Sequence, residues 1–195
     1  MILDRDGLEA LTMRRLARQL GVTPMALYNH VRSKEDILQG VARNLIARTR
    51  FASDHPDWRE RIRDCYRALR KACLAHPSAV RLMETIEVAP LSLFGPMEVV
   101  LAALSDLGMT RDDALRAYCL LTNFTLGQVA YERRGPIQSF NLAAHPDRGK
   151  LQEAGLAHVE SVALSDGWDF ERAFEFGLST IIIGLERQSS VEPRH

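Results

Sequence analysis

The sequence is poor in the features that would make it an enzyme, a secreted protein or a membrane protein. It has only three cysteines, Cys65, Cys73 and Cys119, and none lies in a Cys-x-x-Cys pair. Cys65 and Cys73 fall two turns apart on one helical pattern, too far to bridge, so the three read as small core residues of a reducing cytoplasm. No signal peptide and no apolar run long enough to span a bilayer is present, so we expect a cytoplasmic protein with no membrane partner. There is no Gly-x-Ser-x-Gly elbow, phosphate-binding glycine loop, His-Glu-x-x-His or dinucleotide fingerprint. We therefore expect no catalytic residue and no cofactor. His55, His76, His145, His158 and His195 show no metal-ligand spacing, and no metal site is expected. Internal repeats and low-complexity tracts are also missing. Net charge is absent too, with 25 Lys and Arg against 25 Asp and Glu.

That balance hides an asymmetry. Residues 1–50 hold nine basic and five acidic side chains, and the remainder holds sixteen against twenty. Between Ala10 and Lys34 there are five basic residues and no acidic one. A surface facing phosphates needs that bias, because displacing counterions supplies the sequence-independent part of DNA affinity. With 195 residues, 46% of them hydrophobic, the chain can bury one substantial core plus a small appended unit.

The acid-free window reads as two short helices broken by a glycine turn. Thr12 is an N-cap, with Leu16, Ala17 and Leu20 on one face of the helix that it starts. Gly21 permits a left-handed exit, Thr23 caps the next helix, and Pro24 occupies its first position. Leu27 and Val31 continue the buried face. Helix, turn and helix in this order form the motif that lays its second helix in the major groove of DNA. Direct readout should come from that helix: Met25 and Ala26 can meet a thymine methyl, and Asn29 can bond adenine.

Every longer segment has helical periodicity. Ser33 and Asp36 form a capping box for a helix running to about Phe51, which should join head to body. Asp54-His55-Pro56-Asp57 breaks the chain. Trp58 to about Ala75 carries Ile62, Tyr66, Leu69 and Cys73 inward beneath a solvated arginine-rich face. Prolines then punctuate helices near 78–88 and 95–107. The stretches 112–134 and 170–185 are apolar nearly all round, and such helices must be buried on all sides. A homodimer joined through both, as a four-helix interface, supplies the second partner. The interface candidates are Phe124, Gly127, Gln128, Tyr131, Phe174, Gly177, Leu178, Ile181, Gly184 and Leu185, the glycines as close-approach points or as plain intrachain packing. Residues 134–149 read as a connection to a helix near 150–164.

The run from Leu11 to Ala17, then Leu20-Gly21-Val22, Leu27-Tyr28-Asn29-His30-Val31 and Lys34, resembles the tetracycline-repressor (TetR) family of bacterial transcriptional regulators. Asn123-Phe124-Thr125-Leu126-Gly127 and the stretch from Phe176 to Glu186 resemble the dimerising helices of its tetracycline-repressor branch. The resemblance implies an all-α fold, with a helix-turn-helix head over residues 1–48 and an effector-binding and dimerisation body over 49–195. Its partners would be double-stranded operator DNA, a small-molecule effector and a second copy of the chain. Thr12, Tyr28, His30 and Lys34 match phosphate-contacting positions, and Arg14 a position that meets bases or phosphate. Thr23, Pro24, Met25, Ala26 and Asn29 complete the DNA-binding set. The resemblance also implies a pocket in the body, for which Tyr66, Leu69, Met83, Glu84, Ile86, Glu87, Phe94, Met97, Tyr118, Phe124 and Gln128 are candidates. Residues 81–90 contain no histidine, which argues against a tetracycline–metal effector.

The resemblance further implies a complete helix ahead of the segment Gly7-Leu8-Glu9-Ala10, packed on Leu16, Leu20 and Leu27. Only five residues precede Asp6-Gly7. We therefore expect the natural start upstream of Met1, and Leu27 and Val31 partly exposed without that helix. The reading is a ligand-responsive transcriptional regulator, a repressor released from a palindromic operator by a small molecule. The alternative is a dimeric ligand-binding or interaction protein with a defective DNA-binding head.

Overall fold

Two threonines start the first two helices. The Thr12 hydroxyl accepts the Arg15 N–H at 3.2 Å, opening α1 (Met13–Leu20), and the Thr23 hydroxyl accepts the Ala26 N–H at 3.1 Å, opening α2 (Pro24–Tyr28). The computed structural model of the chain describes residues 10–51, 53–76, 94–134, 150, 153–156, 158–159 and 169–191. Between α1 and α2, Gly21 adopts φ +69°. Its N–H reaches the Arg18 carbonyl at 3.3 Å and the Val22 N–H reaches that of Ala17 at 3.0 Å, a Schellman closure that satisfies two of the carbonyls at the end of α1. Ala17 and Leu27 are buried where α1 and α2 pack. The expectation of a partly exposed Leu27 is thereby corrected, while Val31 is half-buried. Leu20 lies on the open side, 59% exposed.

The helix α3 (Lys34–Arg48) follows. The Ser33 hydroxyl accepts the Asp36 N–H at 3.1 Å as expected, whereas the Asp36 carboxylate reaches back one residue further, to the Arg32 N–H at 2.9 Å. Leu11 and Leu38 are buried together with Leu16, Ile37 and Val41 around them, which ties the head to α3. The helix stops three residues short of the expected end. Phe51 explains this: its ring is buried in the body core, and the chain must leave the helical path to put it there.

The body is built on α4 (Trp58–Ala75), capped by the Asp57 carboxylate. Against it pack α5 (Phe94–Asp106) and α6 (Arg111–Arg134), and α7 (Phe170–Val191) packs along α6. Ile62, Cys65, Tyr66, Val100, Leu104, Leu121, Phe174, Leu178 and Ile182 form one continuous apolar core. Burial raises the Cys65 thiol to about 12 and the Cys73 thiol to about 11, so both stay protonated and inert.

The arginine face of α4 is not merely solvated, as its sequence suggests. Arg59 pairs with Glu186, Arg67 with Glu175 and Arg70 with Glu171, a ladder between α4 and α7 running in opposite directions. Arg61 pairs with Asp106 of α5. The Arg67 guanidinium grips Glu175 through two bonds of 2.7 Å and holds its carboxyl below the usual range. That contribution is present at neutral pH and fades as pH falls through the lowered value.

Within one protomer, α6 and α7 bury one side each. Ala114, Ala117, Leu121, Thr125 and Val129 face inward from α6, and Phe174, Leu178, Ile182 and Leu185 from α7. Phe174, Leu178 and Leu185, expected at a dimer interface, therefore sit in the protomer core with almost no surface to offer a partner. Gly177 is also accounted for within the chain, since a Cβ there would lie 2.4 Å from Cζ of Phe124. Phe124 stacks on Phe174 with 5.8 Å between ring centroids, so the ring has little room to retreat. Gly177→Ala should cost about 1–2 kcal/mol net of its better helix propensity. A urea midpoint equal to or above that of the parent protein would contradict this packing.

The expected helices near 78–88 and 150–164 fall mostly outside the described residues, as does the expected connection over 134–149. The same holds for the expectation of a shortened first helix.

Candidate nucleic-acid interface and the body behind it

Eight of the ten residues of the sequence-derived DNA set are exposed, and each is placed by a local cause. Pro24 at the first position of α2 gives up an N–H that has no helical partner, and it fixes the backbone angle for the turn. The side chain of Met25 projects from that turn, 74% exposed, and Tyr28 is 51% exposed. Asn29 and His30 are exposed just past the helix, where the His30 N–H donates to the Leu27 carbonyl at 3.0 Å. Ala26 is half-buried. Arg14 is exposed on α1, and Lys34 is half-buried at the start of α3. The hydroxyls of Thr12 and Thr23 are exposed and engaged as acceptors by the caps. Each keeps its own proton, which can be donated to a phosphate oxygen. No carboxylate belongs to residues 10–34, so nothing on these two helices repels a phosphate chain.

Seven of the eleven candidate pocket residues in the body are among the described residues. Tyr66 is buried, its hydroxyl 3.1 Å from Oγ1 of Thr122 and donating to the Tyr118 carbonyl at 3.3 Å. Burial raises its phenol well above the ordinary value. Leu69, Tyr118 and Phe124 pack against the core. Met97 and Gln128 are half-buried, while Phe94 is exposed at the start of α5. Met83, Glu84, Ile86 and Glu87 lie outside the described residues.

A cleft of about 460 Å³ lies where the head's last helix meets the body, in a place that the sequence did not single out. It runs between α3 and α4 and is lined by Val41, Asn44, Leu45, Arg48, Thr49, Arg50, Ala68, Lys71, Ala72 and His76. Its volume lies within the range of about 300–1,000 Å³ usual for small-molecule sites. The only sequence signal was the run of basic residues closing α3, which on its own reads as ordinary charge complementing a helix C-terminus.

Of the other residues expected at a dimer interface, Gln128, Tyr131 and Ile181 are half-buried, and Gly127 and Gly184 are exposed with open space beside them. Leu115 and Leu120 of α6 and Phe176 and Ile183 of α7 are also exposed, and sequence reasoning had placed none of them at the interface. Phe176 and Ile183 lay within the recognised motif. Their direction became visible once the core had claimed Phe174, Leu178 and Ile182.

A capped, basic helix-turn-helix joined through a long helix to an all-α body is the architecture of a DNA-binding transcriptional regulator. The comparisons with known proteins agree. Residues 1–41 match the model described as bacterial regulatory proteins of the tetR family, and residues 52–189 match the tetracyclin repressor-like C-terminal domain. The chain belongs to the TetR family. It is 31% identical over 190 residues to the class E tetracycline repressor of Escherichia coli, spanning 96% of this chain and 86% of that protein. Apo ActR from Streptomyces coelicolor is similar in structure, with a TM-score of 0.77 and 25% identity over 97% of this chain and 91% of that one. ActR has also been solved with (S)-DNPA and with actinorhodin. BioQ in complex with its double-stranded DNA operator has a TM-score of 0.67 and 29% identity, covering 95% of this chain and 92% of that one.

Proposed function

We propose that the protein is a cytoplasmic homodimeric repressor, released from a pseudo-palindromic operator when a small molecule occupies its body. The single observation that carries the DNA reading is the exposed face of α2, Met25 outward from a Thr23–Pro24 start, on a surface without acid. The operator complex of BioQ supports the DNA partner, and the ActR complexes support a ligand in the body. Residues 1–48 act as the head and 49–195 as the body, with the break between Arg48 and Trp58 as the joint. Two α2 helices would enter successive major grooves, with half-sites about 34–36 Å apart or slightly more. Met25, Ala26 and Asn29 meet base edges, while Thr12, Arg14, Tyr28, His30 and Lys34 hold phosphates.

The second copy docks on the exposed apolar side of α6 and α7, where Leu115, Leu120, Phe176 and Ile183 are wet in the protomer and Gly127 and Gly184 let backbones approach. Ligand binding shifts the heads only through a difference in affinity between the two arrangements, so the effector must touch something that moves with α3. The alternative of a body-only binding protein finds no support in the head, where both helices are formed and capped.

Arg14→Ala and Lys34→Ala test the reading. Each should weaken operator binding about tenfold at moderate salt and reduce the salt slope by about one. Gel-shift titrations over a range of potassium chloride with DNA flanking the gene measure both. Slopes unchanged in both variants would overturn the assignment.

A further inference from the structure

The cleft between α3 and α4 has an unusual charge composition. Arg48 and Arg50 enter from α3 and the residues after it, Lys71 and His76 from α4 and its C-cap, and among the described residues no Asp or Glu lines the space. Arg50 is compensated nearby, with Asp54 at 3.9 Å, in an exposed pair. Among the described residues no ion pair holds Arg48 or Lys71. Both helices also end here, and a helix C-terminus carries about half a negative charge. Two such ends offset one cation at most, so Arg48 and Lys71 leave a surplus of positive charge. Between them the walls are apolar, with Val41 and Leu45 on one side and Ala68 and Ala72 on the other. Asn44 and Thr49 add polar groups at the α3 wall. The Thr49 hydroxyl donates to the Leu45 carbonyl at 2.8 Å and can still accept.

Building on the regulator reading above, we infer that this cleft binds an amphipathic small-molecule anion: an apolar body bearing a carboxylate or ionised phenol. The apolar part lies between Val41, Leu45, Ala68 and Ala72, and the anionic group is held between Arg48 and Lys71. One wall belongs to the helix that carries the DNA-binding head and the other to the first helix of the body. A molecule filling the gap binds best at one spacing of the two walls, which gives it the differential affinity that a shift of the head requires. A neutral ligand of the same shape would leave both cations without a counter-charge.

The test uses the full-length protein with octanoate, salicylate and 2-naphthoate, each compared with its neutral primary amide by isothermal titration calorimetry. At least one carboxylate should bind once per chain, about tenfold or more tightly than its amide. In Arg48→Gln/Lys71→Gln the preference should vanish, with circular dichroism and thermal midpoint little changed. The bound carboxylate should weaken operator binding by the parent protein severalfold and leave operator binding by the double variant unaffected. The inference is overturned if none of the three carboxylates binds, or if the preference for carboxylate survives in the double variant. Operator binding measured without any ligand keeps the two readings apart. If it is intact while the anions fail, the cleft assignment falls and the regulator stands; if it is absent, the regulator reading falls first.

Discussion

Ile183→Asp and Phe176→Asp are expected to convert the proposed homodimer to a monomer and to lower operator affinity by about a hundredfold or more. Phe176 is 73% exposed and Ile183 48% exposed in the protomer, on the side of α7 opposite the core residues Phe174, Leu178 and Ile182. Neither side chain supports the protomer fold, so an aspartate there stays solvated in the monomer and costs little. In a packed two-fold interface the same aspartate is buried beside apolar groups, and by symmetry the cost is incurred twice. The DNA consequence follows from linkage. Two tethered heads bind two half-sites with an effective concentration that adds about 10²–10⁴ in affinity, and a monomer forfeits it. Sedimentation velocity and gel shifts on the same preparations measure both effects, with Ser105→Asp as an exposed control on α5. A variant that still sediments as a dimer would place the interface elsewhere.

The second large effect is expected at Arg70. Its guanidinium bonds the Glu132 carboxylate through contacts of 2.9–3.2 Å, pairs with Glu171, and lies 5.0 Å above the Phe174 ring. The side chain is 10% exposed and that of Glu132 22% exposed. Arg70→Met keeps much of the volume but leaves the Glu132 carboxylate half-sequestered and unpaired. Breaking a buried pair on one side costs about 3–5 kcal/mol, and the residual exposure of Glu132 favours the lower end. For a protein of this size each kcal/mol moves the melting temperature by about 2–4 °C, so a fall of about 6–12 °C is expected by calorimetry. Adding Glu132→Gln should restore more than half of it, because the stranded charge is then gone. Arg67→Ala provides the contrast. Its pair with Glu175 is 45% and 29% exposed, and such pairs are worth at most about 1 kcal/mol. Equal losses at Arg67 and Arg70 would show that burial is not what distinguishes them.

The head was legible in the sequence to a degree that the body was not. Thr12, Gly21, Thr23 and Pro24 act within four or five residues of themselves, through caps and a left-handed turn, so their roles are written in local order. The bounds of α4, α5 and α6 follow equally local signals, the break at residues 54–57 and the stop at Gly108-Met109-Thr110. The end of α3 was misjudged because Phe51 is drawn into a core made of residues far along the chain. Phe174, Leu178 and Leu185 were misplaced for a related reason. An all-apolar helix has no polar face to reveal which side turns inward.

The linear order of residues determined that the chain is helical, that it begins with a basic helix-turn-helix, and that two long apolar rods follow. Those outcomes depend on hydrogen bonds and periodicities spanning a few residues. The burial of Arg70, the exposure of Phe176 and Ile183, and the cleft between Arg48 and Lys71 depend on which helices meet. That choice is made by packing between segments tens of residues apart, and no window of sequence contains it.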